Sequence, residues 1–179
     1  MLDRIWGRVE KVESKLRNRF GNSIDTPWQR FLSHVHFQLM DHGFLRILWT
    51  NFYQFSPNAF RSNQPSPRRL KKYKKLGVNT IINLRGTPKQ SHYLFEQEAC
   101  DALGLVLINC SMLARACTPK KHFIELFDYF DKIEGPFVLH CKSGADRAAI
   151  AAAFYQIHIH GYSVKQTRDQ FSIKYLHLK

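Results

Sequence analysis

No aspartate or glutamate occurs between His42 and Phe95, and residues 61–90 alone carry nine lysines or arginines. Over all 179 residues the excess is +13, from 27 Lys and Arg against 14 Asp and Glu. A surface of one sign favours anionic partners: a phosphorylated protein, a small phosphate ester, nucleic acid or an anionic membrane surface, and composition does not choose among them. Nothing in the pattern points to a specific nucleic acid. No apolar run approaches the ~20 residues a membrane span needs. The opening Met1-Leu2-Asp3-Arg4-Ile5 is charged at once, without the apolar core of a secretory signal, so the expected location is cytoplasmic. Four cysteines without paired spacing exclude a disulfide framework and imply free thiols in a reducing compartment. There is no repeat, no GxGxxG, no Walker-type loop and no zinc spacing, so no cofactor and no metal is expected. His34 and His36, like His158 and His160, stand two apart on different faces of a helix and make poor joint ligands.

What is present divides the chain near residue 50. Leu2, Ile5, Trp6, Val9, Val12, Leu16 and Phe20 share one helical face, with Arg4, Arg8, Lys11, Lys15 and Arg19 elsewhere. They predict a helix that packs on the domain or a second copy, or lies on a membrane or partner. Thr26-Pro27 opens a second helix, to about Met40. Residues 1–50 thus form an N-terminal helical extension, and 51–179 one domain, with 14 phenylalanines in the chain to build its core. In that domain Asn51 to Phe55 reads as a strand, and Ala59 to Arg61 pairs back on it. Ser66 caps a helix with Leu70, Tyr73 and Leu76 inward and Arg68, Arg69, Lys71, Lys72, Lys74 and Lys75 outward, stopped by Gly77. Val78 to Leu84 is uncharged and β-branched, as suits a central parallel strand. Residues 91–103 make a helix closed by Gly104; Leu105 to Asn109 is the next strand. Thr118-Pro119 caps a helix that ends by Gly135; a further helix reaches Gly161; Ser163 caps a last one before an exposed tail, Tyr175 to Lys179. This alternation predicts the α/β class: three layers, α/β/α, around a mostly parallel sheet of four or five strands.

Pro136 to Tyr155 organises the rest. A buried strand, Phe137-Val138-Leu139, runs into His140-Cys141-Lys142-Ser143-Gly144-Ala145-Asp146-Arg147, and an alanine-rich helix follows. In a strand, glycine-containing loop and helix, successive backbone N–H groups converge at the helix N-terminus, where anions are held. The loop is long enough to curl around a tetrahedral oxyanion, with the Cys141 sulfur below it and the Arg147 guanidinium beside it. A thiolate is the nucleophilic form of cysteine. The helix dipole alone supplies too little to hold one, so the loop amides, Arg147 and Lys142 add to it. Arg147 also matches two phosphate oxygens with its planar fork. Arg85, at the carboxyl end of its strand, is the leading second phosphate contact, with a structural salt bridge as its other reading.

The run from His140 to Arg147 resembles the signature of the cysteine-based protein tyrosine and dual-specificity phosphatases. The variant Cys-Lys-Ser-Gly-Ala-Asp-Arg looks most like a small bacterial branch of them. The likeness extends upstream through Arg61 to Pro67 and Asn83-Leu84-Arg85-Gly86, and so covers roughly residues 51–179. It implies a protein tyrosine phosphatase-like fold. It also implies phosphomonoester hydrolysis through a phosphocysteine on Cys141, phosphate binding by Lys142, Ser143, Gly144, Ala145 and Arg147, and a supporting role for His140. In such enzymes an aspartate on an upstream loop protonates the leaving group. Here that loop, Cys110 to Thr118, has no carboxylate, and Ala148 stands where a hydroxyl usually follows the arginine. Asp146 is therefore the candidate acid, by likeness to the myotubularin-type phosphatases; its other reading is to hold the loop. Cys110 or Cys117 could pair with Cys141 as a resolving thiol. Three alternatives stay open. The same mechanism could act on inositol phosphates, phosphoinositides or nucleotides. The cradle could belong to a phospho-binding module of low turnover. A rhodanese-like sulfurtransferase also uses a cysteine loop, but Arg147 speaks against it.

Overall fold

The computed structural model of the chain describes residues 20–177, except 88 and 115. The helix expected over residues 2–20 lies outside them but for its last residue.

Five strands form one sheet in the order β1-β2-β5-β3-β4: β1 (Tyr53–Ser56), β2 (Ala59–Asn63), β3 (Thr80–Asn83), β4 (Val106–Asn109) and β5 (Phe137–Cys141). β1 is antiparallel to β2 at one edge; every other pairing is parallel. Helices cover both faces, as expected of α/β alternation. β3 and β5, reading Thr-Ile-Ile-Asn and Phe-Val-Leu-His-Cys, are buried throughout, which is why their sequences carry no charge.

The two-residue period of a strand divides the core. Ile82, Phe137, Leu139 and Cys141 join Leu126 and Phe130 of α5 (Lys120–Lys132) and Ala148, Ala151 and Ala152 of α6 (Asp146–His160). Ile81 and Val138 turn the other way, onto Leu70 and Tyr73 of α3 (Pro67–Lys75) and Cys100 of α4 (Ser91–Leu103). The alanines let α6 lie close on the sheet, so its N-terminus starts at the carboxyl end of β5.

Several boundaries differ from the sequence reading. The helix opened by Thr26, α1 (Pro27–Val35), has the capping box its sequence suggests: the Thr26 hydroxyl accepts from Gln29 N–H at 3.2 Å, and the Gln29 side chain accepts from Thr26 N–H at 3.1 Å. It does not run on regularly to Met40. A π turn, His36–Met40, follows, and Asp41 N–H donates to the His36 carbonyl across it at 3.0 Å. A short α2 (Leu45–Leu48) comes next. β1 begins two residues late because Asn51 has a left-handed backbone, φ 46°. Leu76 is exposed, not inward, because α3 has ended at Lys75. Thr118 does not cap α5, whose first turn follows Pro119; its hydroxyl accepts from Leu113 N–H at 3.0 Å and closes the loop after β4. Among the described residues after Gly161 there are only 3-10 turns, Gln166–Phe171 and Ile173–Tyr175. Tyr175, expected in an exposed tail, is buried at 5% exposure under the Arg61 guanidinium, 4.0 Å above its ring.

Candidate active site

β5 lies between β2 and β3, with Cys141 in register with Asn63 and His140 with Asn83. The chain leaves the sheet there, at the carboxyl ends of parallel strands, and turns into α6. Cys141 is 1% exposed and belongs to the same buried cluster as Leu84, Met112 and Ala148. Its sulfur nevertheless has a polar contact, accepting from Gly144 N–H at 3.2 Å.

Four successive carbonyls of the loop are held from outside. That of Lys142 accepts from Gln64 N–H at 3.3 Å, and that of Ser143 from the Asn51 side-chain amide at 3.1 Å. Those of Gly144 and Ala145 both accept from Arg61 Nη2, at 2.8 and 2.9 Å. All the peptides are trans, so each N–H points away from the carbonyl of its own unit. Anchoring these carbonyls outward therefore turns the N–H groups of residues 143 to 146 the other way; that of Gly144 meets the sulfur and that of Ala145 the Ser143 hydroxyl, at 3.3 Å. Gly144 makes the turn possible. Its φ is 74°, and a Cβ there would stand 2.7 Å from the Asn63 nitrogen and the Ser62 carbonyl.

Arg61 is fully buried and spans the loop and the C-terminal turns, since its Nη1 also donates to the Gln170 carbonyl at 2.8 Å and side chain at 2.9 Å. Burial pulls its guanidinium down to about 10, still cationic at neutral pH. Arg147, opening α6, reaches across the bowl: Nη1 lies 3.5 Å from the Leu84 carbonyl and 3.4 Å from that of Met112. The two long contacts keep the fork at the rim.

The other expected residues are placed less simply. Arg85 donates to Asp41 at 2.7 and 3.1 Å and to Gln64 Oε1 at 2.8 Å, which is the salt bridge of its second reading. Asp41 also accepts from Arg46 at 2.7 Å and lies 3.7 Å from Lys142 Nζ. Burial would raise the Asp41 carboxyl, but Arg85, His92 and Arg46 together outweigh it and hold the group well below the usual carboxylate range. His140 points to the opposite face from Cys141. Its Nε2 is 2.8 Å from Glu96 Oε1, both side chains fully buried, a close contact without hydrogen-bond alignment. The Asp146 carboxylate is 65% exposed and 2.9 Å from His177 Nδ1. Cys110 is buried, its S–H directed at the His122 carbonyl at 3.4 Å, and burial pushes its thiol up to about 11; Cys117 is exposed.

Arg61, Asn51, Asp41 and Glu96 are the parts of this arrangement that sequence reasoning missed. Among the described residues no three His, Cys, Asp or Glu side chains gather as a metal site, and no helix is long and apolar enough to cross a membrane. What the geometry can do chemically is hold a tetrahedral oxyanion above a sulfur.

A five-stranded, mostly parallel sheet with a glycine-containing loop between its central strand and an alanine-rich helix is the protein tyrosine phosphatase-like architecture, and solved structures match it. P. aeruginosa TpbA, solved with phosphotyrosine, shares 19% identity over 70% of this chain and 74% of its own, with a TM-score of 0.55. A Shewanella putrefaciens protein reaches a TM-score of 0.60 at 17% identity over 74% and 91%. The core catalytic domain of the S. cerevisiae PP-IP phosphatase SIW14, in complex with citrate, gives 0.59 at 16% over 72% and 78%. No family model and no curated protein matches the sequence.

Proposed function

We propose that the chain is a phosphomonoester hydrolase of the cysteine-dependent type. Cys141 Sγ attacks phosphorus: an S–P bond forms, the P–O bond to the leaving group breaks, and the departing oxygen takes a proton. Water then attacks the phosphocysteine, the S–P bond breaks and orthophosphate leaves. The N–H groups of residues 143 to 146 and the fork of Arg147 stabilise the charge on the transferring phosphoryl oxygens. His140 and Glu96 hold the strand beneath the loop. The observation that supports this reading is the outward anchoring of four loop carbonyls by Gln64, Asn51 and Arg61, which turns the loop N–H groups to the side where that of Gly144 meets the Cys141 sulfur.

Asp146 is the proposed proton donor, being the carboxylate within the loop itself. Asp41 is unsuited to the task, because Arg85 and Arg46 keep it ionised. An exposed Asp146 favours leaving groups that need little acid help. Phenolates, with a conjugate acid near ~10, leave more readily than alkoxides, so phosphotyrosine-like esters are the first substrate class. A second class rests on the cation Lys142 within the loop and on the same deficit. A phosphate leaving from an anhydride is a far weaker base than a phenolate and needs no proton. The phosphotyrosine bound to TpbA and the PP-IP phosphatase SIW14 stand for these two classes.

The test is hydrolysis of an aryl phosphate by purified protein. Vanadate-sensitive turnover abolished by Cys141→Ser is the expected result. Tight phosphate-ester binding with no turnover would replace the enzyme by a binding module.

A further inference from the structure

A second polar cavity lies beside the loop, between the N-terminal segment and the start of α3. It encloses about 370 Å³, within the range of about 300–1,000 Å³ common for small-molecule sites. Its lining includes Arg46, Gln64, Ser66, Arg68, Arg69 and Lys72. Arg69 is already spent, donating to Asn63, Tyr73 and the carbonyls of Thr50 and Gln64. The others are not. Arg46 is 6% exposed and gives both terminal nitrogens to Asp41, yet its Nε is buried without a partner. Gln64 is 1% exposed; its Oε1 accepts from Arg85, which fixes the orientation of the amide and leaves Nε2 a buried donor with no acceptor.

Two buried N–H donors without acceptors, on residues that line one cavity, call for an acceptor from outside the chain. Charge identifies it. Arg68 and Lys72 stand one helical turn apart on α3 at the cavity, both exposed, and no carboxylate pairs with either among the described residues. Ser66, at the N-cap of α3, makes no side-chain bond to its own helix, and that helix end favours negative charge. One lining acceptor is also unpartnered, Gln38 Oε1. A partly protonated phosphate satisfies it through P–OH while its other oxygens take the N–H donors.

From this we infer that the cavity is a phosphate-binding site separate from the catalytic loop, formed by Arg46 and Gln64 inside and Arg68 and Lys72 at its mouth. The chemistry fits a free phosphate or phosphate ester, and equally a second phosphate on the molecule held at Cys141. The inference does not depend on turnover, so it is tested on the inert Cys141→Ser protein. Nitrogen-15 NMR with orthophosphate should show the Gln64 side-chain amide and the Arg46 Nε–H shifting saturably, with a midpoint different from that of the amides of residues 143 to 146. In the same protein carrying Arg68→Ala and Lys72→Ala, exposed positions that leave the fold intact, the cavity midpoint should weaken at least tenfold while the loop midpoint stays within twofold. A hexose bisphosphate then separates the sources. One molecule per chain moving both sets of signals means a shared substrate; two per chain mean an independent ligand. Gln64 and Arg46 signals that stay still while the loop responds, or that move equally in the Arg68→Ala/Lys72→Ala protein, would overturn the site.

Discussion

At the residue scale, the bowl depends on a side chain 80 residues away from it in sequence. Arg61 holds two loop carbonyls with a single nitrogen, Nη2, and the C-terminal turns with the other. Lysine retains the charge but not the fork. Arg61→Lys should therefore cost about 3 kcal/mol, taking two charge-assisted hydrogen bonds at about 1.5 kcal/mol each. Aryl phosphate kcat/KM should fall at least tenfold as the loop amides lose their aim. Thermal denaturation and steady-state kinetics on one preparation check both; wild-type kinetics in a destabilised variant would show that the anchoring is structural only. Asp146→Asn separates the two roles of that residue. If it donates the proton, alkyl phosphate hydrolysis drops at least tenfold while hydrolysis of an aryl ester with a good leaving group changes less than threefold. A uniform small loss on both would leave Asp146 with its bond to His177 and no part in proton transfer.

At the scale of elements, α6 does the positioning. Ala148, Ala149, Ala151 and Ala152 are fully buried, and their small side chains set how closely the helix start approaches β5. Ala152→Leu should destabilise by about 1–3 kcal/mol through overpacking, with loss of activity as the loop is pushed from the sheet. Denaturant midpoints compared with those of Ile159→Ala, at a 39% exposed position on the same helix, give the control, which should shift by no more than about 0.5 kcal/mol. This element was also the most legible part of the sequence. Cys141, Gly144 and Arg147 lie within seven consecutive residues, and strand, turn and helix each have a local signal there. The sheet was legible for the same reason, through the uncharged runs of β3 and β5. Arg61, Asn51, Asp41 and Glu96 were not, because each matters through a partner distant in sequence and none repeats with any period. Tyr175 was read as tail since nothing in its neighbourhood announces the arginine that covers it.

At the scale of the whole molecule, buried charge ties the N-terminal segment to the sheet and makes stability depend on pH. His92, 2% exposed with neither ring nitrogen partnered, is pushed well below 6.5 by burial and then by the Arg85 guanidinium. The unfolded chain binds a proton there near pH ~6.5 and the fold does not. Stability should therefore fall as pH drops below about 6.5, by up to about 1.4 kcal/mol per unit. Asp41 adds a second stage. Its lowered carboxyl contributes stability above pH ~4, and that is lost as pH falls further towards its folded value. Denaturant unfolding between pH 8 and pH 4 should show the upper stage in the wild type and not in His92→Asn. A wild-type curve that is flat from pH 7 to pH 5 would refute the argument.

The stacking of Tyr175 beneath Arg61 gives the molecule a reporter of its own. Arg61 bridges that ring and the carbonyls of residues 144 and 145, so a shift of the cradle is passed through the guanidinium to the aromatic protons. Occupancy of the proposed phosphate bowl can thus be followed at a tyrosine on the far side of Arg61, without attaching a label.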